Sequence, residues 1–154
     1  MRLLLVAQRY GPDIAGGAEQ LLRQFAERLA ERGHHIEVLT SCAETYTDWA
    51  NAYDAGLDDV HGIPVHRLRT ARPRDHACFG GLEQRVRAPS PAAPLSMIVA
   101  EAWSHLLGPE LPELTPWLRS HAADFDAAVF SGYLFRTSVE GLPAAAPFVP
   151  TVLQ

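Results

Sequence analysis

The opening forty residues narrow the fold more than any other part of the chain. Leu3-Leu4-Leu5-Val6-Ala7 is a continuous apolar run closed by Gln8. A strand that is apolar without alternation is one buried on both faces, as in a parallel sheet. Residues 10–17 follow as a loop with Gly11, Pro12, Gly16 and Gly17. Residues 18–32 then place Leu21, Leu22, Phe25, Ala26, Leu29 and Ala30 at helical spacing. Glu19 falls in the first turn and Arg28 and Arg32 in the last, which suits the helix dipole. Gly33 supplies the helix stop, and residues 36–40 form a second apolar strand. Strand, helix and strand over this length make a right-handed βαβ unit.

The remainder extends the same pattern. Residues 41–60 are polar, with Tyr46, Trp49 and Tyr53, and read as an ordered insertion. Residues 63–68 are a third strand with His66 interleaved. Residues 70–94 are rich in Arg and Pro and read as a long loop with a short helix at 82–87. Two helices are expected at 95–107 and 110–122, broken at Gly108-Pro109, with the second proper starting near Thr115 because of Pro116. Residues 127–130 are a short buried strand, 134–140 a short helix ending at Gly141, and 148–153 a last strand. This alternation predicts an α/β fold: a Rossmann-like parallel sheet with helices on both faces. A final strand with no helix behind it suggests that another unit follows.

Composition sets the outer bounds. The chain has 154 residues, enough for one domain without disulfides or a structural metal. A net charge of −5 argues against a nucleic-acid partner, because phosphate contacts need a positive surface. All 13 basic residues are Arg, so chemistry that needs a lysine, such as a P-loop or a Schiff base, is excluded. Cys42 and Cys78 lie far apart and read as free thiols in a reducing cytoplasm, with a single disulfide as the alternative. No signal peptide and no membrane span is legible, so the expected location is cytoplasmic.

The glycine loop is the main candidate site. Between a buried strand and a helix N-terminus, backbone N–H groups can hold an anion, and glycine lets a ligand approach closely. The dinucleotide pattern G-x-G-x-x-G is missing, and there is no Tyr-x-x-x-Lys pair, which argues against an oxidoreductase or epimerase. Asp124-Phe125-Asp126 precedes an apolar strand rather than following one, so it does not read as a metal site. The seven His lack metal-ligand spacing. Arg72, Arg74, Arg85 and Arg87 form a basic stretch, read first as a solvated loop and second as a contact for an anionic acceptor or a membrane surface. Trp49 and Tyr53 are either stacking platforms for an acceptor ring or anchors of the core.

A resemblance then appears. Gly11-Pro12, Gly16-Gly17-Ala18-Glu19, Glu31-Arg32-Gly33-His34 and Val38-Leu39-Thr40 are similar to the start of glycosyltransferase family 4 proteins. Trp49, Asn51, Tyr53 and Gly56, then His61-Gly62-Ile63-Pro64-Val65, resemble a bacterial subgroup. So do Gly108-Pro109, Tyr133-Leu134-Phe135 and Gly141-Leu142. The family implies the GT-B architecture of two Rossmann-like domains facing a cleft. By that resemblance residues 1–154 are the N-terminal, acceptor-side domain.

The family's donor-binding motif, two Glu separated by seven residues, belongs to the C-terminal domain, to which the resemblance does not extend. The resemblance thus implies a domain inactive by itself, whose partners are a nucleotide-sugar donor, an unknown acceptor and the C-terminal domain. It implies transfer with retention of configuration, no cofactor beyond the nucleotide-sugar substrate, and no required metal. Gly16 and Gly17 would contact the donor phosphate or sugar. The His that follows the equivalent strand in many relatives is replaced by Ser131-Gly132-Tyr133, so Ser131 and Tyr133 are candidates for that wall of the cleft. Trp49, Tyr53 and Arg74 are acceptor-side candidates, and peripheral membrane contact is left open. The alternative function is a stand-alone module that binds a nucleotide or a protein partner without catalysis.

Overall fold

The computed structural model describes residues 1–88 and 96–154. The upper end of the expected 70–94 loop, and Leu95 at the start of the next expected helix, lie outside the described residues. Six strands form one sheet: β1 (Arg2–Val6), β2 (His35–Ser41), β3 (Gly56–Val60), β4 (Ile63–Leu68), β5 (Ala127–Phe130) and β6 (Thr151–Leu153). Their order is β3-β4-β2-β1-β5-β6, and every neighbouring pair is parallel except β3 with β4. The fold is the expected α/β, Rossmann-like sheet, made mixed by one antiparallel edge strand.

The apolar run of β1 sits at the centre and feeds both layers. Leu5 and Ala7 join Ile36, Val38, Ile63 and Val65 beneath α1 (Gly17–Glu31), which buries Leu22 and Ala26 there. Leu4 and Val6 point the other way, toward Leu114, Leu118, Ala144 and Ala145. Those residues belong to α4 (Leu114–His121) and α6 (Gly141–Ala145). The stripe α1 buries is narrower than its spacing predicts, since Leu21 and Phe25 remain exposed. Pro116 fits within the first turn of α4, where its missing N–H leaves no intrahelical bond unmade.

Three expectations are corrected. Residues 41–60 are not all insertion, because their last five form β3. A two-residue turn joins β3 to β4, with His61 at φ 55 and Gly62 at φ 80. Positive φ at both central positions matches the twist of a hairpin. The strand escaped notice because Gly-Leu-Asp-Asp-Val is exposed at four of its five positions and so shows no alternation. Second, a helix of 12 residues, α2 (His76–Arg87), replaces the short one expected at 82–87. Gly80-Gly81 weaken that helix locally, but the Asp75 side chain caps it by accepting from Cys78 N–H at 2.9 Å. Phe79 also stacks on Trp103 of α3 (Met97–Leu107). Third, the segment after β5 divides into α5 (Arg136–Val139) and α6, while β6 is shorter than expected.

Glu37 of β2 gathers three basic side chains. His66 Nε2 lies 2.7 Å from it, His35 Nε2 3.1 Å, and Arg2 Nη2 donates at 3.3 Å. Burial pushes the Glu37 carboxyl up, but these bonds outweigh it and the net displacement is downward. A lowered folded-state pKa contributes stability above the unfolded value of about 4.3, and that stability is lost as pH falls through the folded value. Glu37→Gln is therefore expected to flatten the acid side of the stability–pH curve measured by urea unfolding. An unchanged slope below about pH 5 would show that the cluster does not couple to folding.

Candidate functional site

The order of strands reverses at β1. The chain leaves β1 toward β2 and β4, and later returns on its other side with β5 and β6. In open parallel sheets the crevice for a ligand opens at such a reversal, outside the C-terminal strand ends. Here two loops border it: the one from β1 to α1, and the one from β5 to α5.

The first loop is built around a buried ion pair. Arg9 Nη2 donates to Glu19 Oε1 at 2.5 Å, and the two side chains are 8% and 9% exposed. Gln8 Nε2 donates to the same oxygen at 3.1 Å, and Arg9 Nη1 donates to the Glu44 carbonyl at 3.0 Å. Ser41 Oγ donates to the Gln8 carbonyl at 2.6 Å, tying the ends of β1 and β2 together. Glu19 does lie in the first turn of α1, but its carboxylate is folded back onto Arg9 rather than left in water. Gly16 is the N-cap, at φ 155, and no side chain caps the helix. A Cβ on Gly16 would run into the Glu19 carboxylate, whereas a Cβ on Gly17 would meet nothing within 4 Å. Packing thus demands glycine at 16, while position 17 opens onto free space at the helix start.

Tyr10 and Arg67 support this loop from below. Arg67 is 2% exposed; its Nε donates to Asp58 at 2.7 Å and its Nη1 to the Tyr10 carbonyl at 2.8 Å. Tyr53 lies across the guanidinium, 4.0 Å from ring centre to Cζ. Burial, with Glu27 nearby, pushes the Tyr10 hydroxyl up to about 12.

The second loop meets the first at Gln8. Ser131 N–H donates to the Val6 carbonyl at 2.9 Å, and the Ser131 side chain is buried. Gly132 follows at φ 86, and a Cβ there would lie 3.0 Å from Gln8 Oε1 and closer still to Phe135. Tyr133 stands out into solvent, 68% exposed. Gln8 thus links the Gly16 turn, through Glu19, to Gly132, while Gly17 and Tyr133 both face solvent. Gln8 and Gly132 form this link although neither was among the candidates. The signal for Gln8 was its position, a polar residue directly after a buried strand.

The acceptor-side candidates divide. Trp49 is 2% exposed; its Nε1 donates to the Leu107 carbonyl at 2.8 Å. Arg74 Nη2 donates to the same carbonyl at 2.6 Å. The Arg74 guanidinium lies over both Trp49 and Phe79, so it is not a residue of a solvated loop. Arg72, Arg85 and Arg87 are exposed, as the solvated reading expects. Trp49 and Arg74 share a cavity of about 270 Å³, also bordered by Arg72, Cys78, His105 and Glu110. Phe135 meets the edge of Trp49 at 5.8 Å, which joins this cavity to the β5–α5 loop. Tyr53 is not part of the cavity; it covers Arg67 beside Gly11.

Asp126 of the D-x-D accepts from Arg2 N–H at 2.7 Å, at the N-terminal end of the sheet and away from the crevice. Among the described residues no three His, Cys, Asp or Glu gather at metal-binding distance, and no helix is long and apolar enough to cross a membrane.

No protein-family model matches the sequence, and no curated protein matches it. Among solved structures, the chain is similar to sucrose-phosphate synthase from Thermosynechococcus elongatus, with 15% identity and a TM-score of 0.51. That likeness concerns the fold. It covers 99% of this chain and 32% of that one, so the chain spans about a third of the length of the structure it matches.

Proposed function

We propose that this chain is the N-terminal, acceptor-side domain of a retaining glycosyltransferase of the family 4 type. A structural neighbour is a sucrose-phosphate synthase, which supports the GT-B architecture that the family resemblance implies. The observation that carries the reading is the meeting of two turns at the sheet reversal. Gly16-Gly17 stand at a helix start with no side-chain cap, and Ser131-Gly132-Tyr133 face them across Gln8.

In this reading the N–H groups of Gly17 and the residues after it hold the diphosphate of a nucleotide sugar, aided by the positive end of α1. Ser131 and Tyr133 form the wall beside the transferred sugar, and Trp49, Tyr53 and Arg74 lie toward the acceptor. Retention then needs no nucleophile from this domain, because the leaving group departs and the acceptor attacks on one face of the sugar. The domain's part is to hold charge and orientation. The paired glutamates and most contacts to the nucleotide would come from a second domain, so donor binding by this chain is weak and turnover negligible.

The test is a titration of the ¹⁵N-labelled chain with UDP-glucose. The reading expects amide shifts centred on Gly16, Gly17 and Gly132. It also expects them to vanish in Gly17→Val, whose side chain enters open space and leaves the packing intact. Shifts that survive this substitution, or that cluster elsewhere, would overturn the assignment.

A further inference from the structure

The cavity beside Trp49 contains an imbalance of charge. Its two acids are already engaged. Glu110 accepts from Arg72 Nε at 2.9 Å and lies 3.8 Å from Arg136 Nη1. Asp75 caps α2 through Cys78 N–H. His105 faces away to Glu140, 3.9 Å distant. Arg74 is the exception. Among the described residues no carboxylate comes within 4.0 Å of its guanidinium, its Nε is buried without a partner, and its one side-chain hydrogen bond is to the neutral Leu107 carbonyl. Burial pushes its pKa down, and the more distant negative charges of Glu83 and Asp48 offset this only in part.

Two aromatic faces and a carbonyl hold this guanidinium in place without neutralising it. An arginine fixed in this way is prepared for a planar or tetrahedral anion, which it can meet with two parallel N–H bonds. The cavity, about 270 Å³, has room for one small group and not for a long chain. It adjoins the β5–α5 loop through Trp49 and Phe135.

We propose that this cavity binds a single acidic group, a carboxylate or a phosphate monoester, carried by a small ligand, with Arg74 as its principal contact. Its role as the acidic end of the acceptor rests on the glycosyltransferase reading; the binding itself does not. Cys78 is exposed in the cavity wall at the third position of α2. An aspartate there stands beside the Asp75 carboxylate and places a second negative charge against the incoming anion.

The experiment titrates the chain with glucose 6-phosphate, glucuronate and glucose, followed by calorimetry and by the Trp49 indole N–H resonance. Both anions should bind and shift that resonance, with glucose weaker by about tenfold or more. Whichever anion binds more tightly identifies the acidic group. Arg74→Gln and Cys78→Asp should each weaken the anions about tenfold, while Cys78→Ser should not. Should Arg74→Gln fail to fold, Cys78→Asp still decides the matter. Equal binding of glucose, an unchanged affinity in Cys78→Asp, or no shift of the indole would overturn the proposal. If UDP-glucose fails at Gly16-Gly17 while the anions still bind here, the cavity stands and the glycosyltransferase role falls. The reverse outcome removes the cavity alone.

Discussion

Glu19→Ala is expected to destabilise the domain by about 3–5 kcal/mol, enough to threaten folding at 37 °C. Among the described residues its carboxylate is the one acid paired with Arg9, and both side chains are almost wholly buried. Removing one partner leaves the other charge buried without compensation, which costs far more than the intact pair contributes. Gln8 Nε2 would lose its acceptor as well. The sharper test is the double substitution Arg9→Met with Glu19→Leu, which removes both charges and keeps the volume. It should recover most of the loss, because paired buried ions are near neutral against apolar residues. Urea unfolding of the wild type, Glu19→Ala and the double variant measures this directly. A single substitution costing under about 1 kcal/mol would mean that Arg9 swings out to solvent. The same network sets the Gly16 turn, so Glu19→Ala should also blur the Gly16 and Gly17 amide signals.

Trp49→Ala should cost a similar amount, about 3–5 kcal/mol. The indole is buried, packs edge-on against Phe135, and donates to the Leu107 carbonyl. Its backbone is equally engaged: the Trp49 carbonyl accepts from Thr70 Oγ1 at 2.8 Å. Trp49→Phe keeps most of the apolar area and removes only the N–H, and the Leu107 carbonyl keeps Arg74 as a donor, so its expected loss is smaller, about 1 kcal/mol for one hydrogen bond. Thermal unfolding followed by near-UV circular dichroism separates the two variants. Equal losses would show that the hydrogen bond carries the anchor rather than packing. Both substitutions should also loosen Arg74, which shares that carbonyl and lies over the ring.

These two anchors show where the sequence is transparent and where it is not. The run from Leu3 to Ala7 predicts a strand covered on both faces, and β1 is central with a core on either side. The glycine loop and the helix after it fall where their residues place them, within one residue at each end. These features are local: apolar periodicity, a glycine, a cap. β3 was illegible because a strand exposed on both faces shows no alternation; the two-residue turn pairs it with β4, and Arg67 reaches Asp58 across that pair. α2 was mostly hidden by Gly80-Gly81, whose local weakness is offset by packing on α3.

The site divides in the same way. Gly16 and Gly17 could be found because glycine before a helix start has a physical meaning without any partner. Arg74 looked like one arginine among four in a polar stretch, and only the tertiary structure sets it between two rings, with no carboxylate among the described residues at salt-bridge distance. Glu19 looked like a surface acid answering a helix dipole, until Arg9 is brought across from the end of β1. The sequence by itself determined the βαβ start, the parallel sheet and the position of the glycine loop, since each follows from the chemistry of neighbours along the chain. The tertiary structure decided which charges are buried and which are paired. Those properties depend on distance and desolvation between residues far apart in sequence, and no local pattern encodes them.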